Sequence, residues 1–155
     1  MKKALFFIAL LLIWIPQSCG HYSLNVLRTA PEHIEIDNRE YVLETYLWRD
    51  FMPISPPDGK PLIAIAWITA VDSQPFPSSL DADLLWVINE DEIWKEKCSI
   101  KRELGARRQH QLEIIAREGP KWGPGIYVDV VVRIIDEENN IYLLRAEDQL
   151  IGRTD

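Results

Sequence analysis

The feature that most limits what this chain can fold into is residues 126–136 (IYVDVVVRIID), a strictly alternating run behind a glycine- and proline-rich turn. One face carries Ile126, Val128, Val130, Val132 and Ile134; the other carries Tyr127, Asp129, Val131, Arg133 and Ile135. A period of two places one set on a core and leaves the other wetter, which a strand satisfies and a helix does not. The preceding residues 119–125 (GPKWGPG) form a tight, rigid turn. Residues 137–140 turn the chain again into a returning strand at 141–146, with Tyr142, Leu144 and Ala146 directed inward.

The rest of the chain has the same texture. Residues 41–48 (YVLETYLW) and 62–71 (LIAIAWITAV) read as strands, the second apolar on both faces and so expected centrally, covered from both sides. Residues 84–89 and 92–98 read as a hairpin turning at Glu90 and Asp91, with Trp86 and Trp94 on opposite faces. A further strand is expected at 111–117 and a last edge at Leu150 and Ile151. Between them lie 52–61, where four prolines and an Asp-Gly exclude regular structure, a long loop at 72–83, and a polar, basic loop at 99–110. About seven short strands without an amphipathic helix of ordinary length predict an all-β fold: a single antiparallel two-sheet sandwich.

Residues 112–146 resemble the last three strands of bacterial immunoglobulin-like domains, where a Gly-Pro-type turn leads to a Tyr-bearing strand and an acidic or Asn-rich hairpin. The resemblance implies an immunoglobulin-like sandwich. The Cys-Trp-Cys core of antibody domains is missing, and Trp67 on the central strand is the candidate for the core tryptophan.

The amino terminus carries an address. Lys2 and Lys3 precede an apolar run at 4–15, followed by Pro16, Gln17 and the small residues Ser18, Cys19 and Gly20. Basic, apolar and small in that order is a cleaved secretory signal, and its twelve apolar residues fall short of the roughly 20 that a membrane-spanning helix needs. Cleavage before His21 fits the small residues Ser18 and Gly20. Alternatively, Ser18-Cys19-Gly20 resembles the end of a bacterial lipoprotein signal, which implies cleavage before Cys19 and a lipid on that residue. Pro16 and Gln17 depart from the Leu and small residue usual in that family. The expected organisation is a signal at 1–18, a tether at 19–38 with a short strand at 34–36, and a β domain at 39–155. Under either cleavage Cys98 has no cysteine to pair with, so no internal disulfide is expected. About 136 residues suffice for a self-supporting core.

The chain has 17 basic and 24 acidic residues, a net charge of −7, which becomes −9 without Lys2 and Lys3. Phosphate contacts need a basic surface, so nucleic acid is not an expected partner. Against that background Lys95, Lys97, Lys101, Arg102, Arg107 and Arg108, opposed by Glu96 and Glu103, give a local excess of +4 suited to an anionic surface or an acidic partner. Trp122, fixed in its Gly/Pro turn, is a second candidate contact, as a rigid aromatic anchor.

Catalytic and metal motifs are not evident. There is no Gly-x-Ser-x-Gly elbow, and Cys98 with His110 is a weak candidate for a thiol pair. His21, His33 and His110 lack close partners, and residues 136–140 (DEENN) lack the glycine and ligand spacing of a calcium loop. No cofactor is expected. The leading expectation is an exported, lipid-anchored envelope protein acting as a non-catalytic binding or structural module. The alternatives are a periplasmic or secreted hydrolase with a loop-built site, and a small inhibitor presenting the loop 52–61.

Overall fold

The computed structural model describes residues 21–101 and 108–155. The signal at 1–18, Cys19, Arg102 and Arg107 lie outside them. Among the described residues one short helix, α1 (Leu24–Arg28), is followed by nine strands: β1 (His33–Ile36), β2 (Arg39–Asp50), β3 (Leu62–Ala70), β4 (Leu80–Asn89), β5 (Glu92–Lys97), β6 (Ser99–Lys101), β7 (Gln111–Gly119), β8 (Tyr127–Asp136) and β9 (Ile141–Thr154). The fold is all-β, as the alternation requires.

The strands form one mixed sheet in the order β5-β4-β8-β9-β2-β3-β7-β6, with β1 paired to the first part of β2. The expectation of antiparallel pairing throughout is corrected at β2 and β9, which run parallel from Leu47↔Ile151 to Asp50↔Thr154. The cause is a corner in β9. Its first part pairs antiparallel with β8; the register then shifts near Asp148, which takes a positive φ of 53°, and the last residues join β2 instead. A second corner lies at Cys98. Its N–H donates to Asp83 O at the end of the β4–β5 ladder (3.0 Å), after which β6 pairs with β7. The two ends of the sheet order are therefore consecutive in the chain, and the sheet nearly closes around one core.

That core follows the period-two pattern. In β8 it takes Val128, Val130, Val132 and Ile134, as expected, and in β9 Leu144 and Ala146. In β3 it takes Leu62, Ala64, Ala66, Ile68 and Ala70. Ile63, Ile65, Trp67 and Thr69 lie on the outer side, only half-buried. β3 is central between β2 and β7, but one of its faces is left partly open, and Trp67 stands on that face instead of in the core. The tryptophan inside is Trp94 of β5, whose ring lies directly on Gly119; a Cβ there would sit 2.6 Å from Cζ3 of the indole.

The β4–β5 hairpin turns at Glu90 and Asp91 in the register Asn89↔Glu92 and Val87↔Trp94. Trp86 and Trp94 therefore face opposite ways, and Trp86 points away from the main core. It is nevertheless buried, at 2% exposure, because the stretch read as a tether lies over it. Ser23 caps α1 by accepting from Val26 N–H (3.3 Å), and Leu27 and Ala30 join Leu84, Trp86, Ile88 and Val131 in a second apolar cluster. The Tyr22 ring meets Trp86 edge-on at 5.4 Å. β1 then pairs with β2 through the two-residue turn Asp37-Asn38, both at positive φ, the requirement of a type I′ hairpin.

Candidate binding face

The sequence singles out Trp122 and the basic segment as candidate contacts, and the fold separates them. Trp122 is half-buried and packs against the core. Its turn is gripped by Arg49, which is 3% exposed. The Arg49 guanidinium donates to Lys121 O (3.0 Å), Gly123 O (2.7 Å), Lys60 O (2.9 Å) and Asp58 O. One buried cation thus locks the 52–61 loop to the Trp122 turn, and Lys121–Asp58 (2.6 Å) reinforces the joint outside. Trp122 belongs to this clamp.

Of the basic segment, Arg108 reaches the outer face of β2, β3 and β7. Lys101 is paired through its backbone with Glu113, and Arg108 stacks over the Trp67 ring at 5.2 Å. Three strands in register bring Glu44, Trp67 and Glu113 into one row across the sheet. Trp67 Nε1–H donates to Glu113 Oε2 (2.8 Å), and Arg108 lies 3.9 Å from the same oxygen. Thr69 Oγ1 and Gln111 Nε2 donate to Glu44 Oε2 (2.6 and 2.7 Å). A shallow depression of about 360 Å³ lies here, lined by Glu44, Thr45, Trp67, Arg108 and Gln111. Each carboxylate is held by neutral or cationic groups, an arrangement that orients them on the outer face.

Next to this row runs an apolar one that sequence reading missed. Tyr127 pairs with Leu150, the Leu47↔Ile151 register sets Leu150 beside Tyr46, Tyr46 pairs with Ile65, and Ile65 pairs with Ile115. Leu47 and Ile151 point into the core, so Tyr46 and Leu150 point outward. Tyr127, Leu150 and Tyr46 are 63%, 50% and 51% exposed. Trp48 and Ile63 extend the band on the next row, Trp48 against Tyr46 at 5.0 Å between ring centroids. The alternation of 41–48 already sets Tyr46 and Trp48 on one side. Their meeting with Leu150 and Tyr127 depends on pairings between distant strands, which carry no local signal.

The remaining candidates have other roles. Cys98 is half-buried against the core, and burial, with Asp83 close by, pushes its thiol up to about 12, away from the thiolate a nucleophile needs. Asp136 organises the β8–β9 turn: it accepts from Glu138 N–H, Asn140 N–H and Nδ2, and Tyr142 Oη (2.8–3.2 Å), and these donors hold its carboxyl below the usual range. Among the described residues no group of three or more His, Cys, Asp or Glu side chains is placed to hold a metal ion.

No family model, curated protein or solved structure matches this chain.

Proposed function

We propose that this chain is an exported, lipid-anchored envelope protein whose domain, an immunoglobulin-like two-sheet sandwich, acts as a non-catalytic binding module. The sandwich reading is supported by two strand sets, β1-β2-β3-β7-β6 and β5-β4-β8-β9, that share one core and join at the β9 and Cys98 corners. The observation that carries the binding role is an asymmetry of cover. The outer side chains Leu84, Trp86 and Ile88 of β4 and Val131 of β8 are sealed by the protein's own residues 22–30, whereas Tyr127, Leu150 and Tyr46 are left facing solvent, with Trp48 and Ile63 half-buried beside them. A contiguous exposed apolar surface on a small domain marks a place of contact.

The address rests on the amino-terminal sequence, and Cys19 is the proposed point of lipid attachment. Intact-mass analysis of the mature protein taken from its native membrane tests it. A chain starting at a diacylglyceryl-modified Cys19 is the expected result. An unmodified terminus at His21 would overturn the anchor and leave a soluble exported domain.

A further inference from the structure

The band has a charged border on one side. Beyond the Tyr127 row, Asp129 of β8 sits at the β9 corner and accepts from Asp148 N–H (3.0 Å), beside Glu147. Glu44 of β2 continues the line, and Glu113 of β7 ends it past Trp67. Among the described side chains two cations face these carboxylates, Arg145, 3.4 Å from both Asp129 and Glu147, and Arg108 near Glu113, while Glu44 is held by the neutral donors Thr69 and Gln111. Among the described side chains carboxylates therefore outnumber cations along this border, on a chain that is itself acidic.

Resting on the binding reading above, we propose that the band of Tyr127, Leu150, Tyr46 and Trp48 docks a protein segment that presents an apolar ridge flanked by lysine or arginine. From Tyr127 to Ile65 the apolar row spans four strands, about 14 Å at ~4.8 Å per strand, which three turns of an amphipathic helix would cover. Burial of the ridge drives association. The carboxylate border selects a basic flank, and it disfavours anionic lipid headgroups and a second acidic copy of the same chain.

The test uses the full mature chain with Cys19→Ser, which carries no lipid and so reads docking independently of the anchor. A fluorescein-labelled amphipathic Leu/Lys helical peptide and its Leu/Glu counterpart serve as probes, followed by anisotropy, with phosphatidylglycerol vesicles and sedimentation in parallel. The Leu/Lys peptide binds. Tyr46→Asp and Leu150→Asp weaken it by about tenfold or more, although each adds a carboxylate that would strengthen indiscriminate electrostatic binding. Ile54→Asp adds the same charge on the 52–61 loop, where Ile54 is 92% exposed, and leaves binding unchanged. Circular dichroism verifies that the variants fold. The proposal is overturned by equal binding of the Leu/Glu peptide, by indifference to Tyr46→Asp, or by no peptide binding. It is equally overturned by band-dependent binding to the vesicles or band-dependent dimerisation. Loss of Leu/Lys selectivity with Tyr46 dependence intact would sink the partner chemistry while sparing the binding role.

Discussion

Arg49 holds a buried positive charge against four backbone carbonyls, and its guanidinium fork reaches two separate loops at once. Truncating it leaves those carbonyls without a donor and opens a cavity beside Phe51, over which the guanidinium stacks at 5.0 Å. Arg49→Ala should therefore cost about 3 kcal/mol in urea denaturation, with Arg49→Lys recovering only part because a point charge cannot span both loops. A loss below ~1 kcal/mol would contradict the clamp. Arg39 does a similar task on the surface. Its bidentate contact with Asp72 (2.7 and 2.8 Å) holds that carboxyl down to about 2. A depressed carboxylate contributes stability above its unfolded value, and the contribution fades as pH falls through its folded value. The Asp72 carboxyl should thus titrate near 2 by NMR and rise towards the ordinary range in Arg39→Ala; an unchanged midpoint in that variant would exclude the contact as the cause. The tryptophans mark how far residues could be read from sequence. Alternation and a two-residue turn suffice to put Trp86 and Trp94 on opposite faces. Which face is the core depends on what lies over each, and that is decided by segments far away in the chain.

At the scale of elements, the hairpins were legible because their information is local: the turn Glu90-Asp91 and the alternation of β8 and β9 are complete within a few residues. Residues 19–38 read as a tether with a short strand at 34–36, and the helix within them escapes reading for a physical reason. Five residues are too few to show a 3.6-residue period or to be stable alone. α1 persists because Leu27, at 0% exposure, fills the space over Trp86. Leu27→Asp would put a carboxylate into that apolar cluster and should cost about 3 kcal/mol, with residues 21–31 becoming protease-sensitive while the β domain stays folded. Equal protease resistance in the two proteins would show that the segment is held by something else. The parallel pairing of β2 with β9 was illegible, since Leu47 and Ile151 belong to runs that each read as ordinary strands. Only the β9 corner turns one into the neighbour of the other.

For the whole molecule, closure and cover decide what is left to meet a partner. The chain nearly closes its sheet and seals one outer face with its own amino-terminal segment. The band of Tyr127, Leu150 and Tyr46 stays apolar and exposed. Under the proposed acylation, Cys19 is three residues from Tyr22, a reach of at most about 11 Å, so the domain sits close against the membrane. Hydroxyl-radical footprinting of intact envelopes, compared with the purified protein, tests the docking role of the band most directly. Tyr46, Leu150 and Tyr127 should be modified less in the envelope than in isolation, while Ile141, exposed at the end of the β8–β9 pair remote from Tyr127, is modified equally in both. Equal modification of Tyr46, Leu150 and Tyr127 in the two samples would contradict the claim that this face is occupied where the protein works.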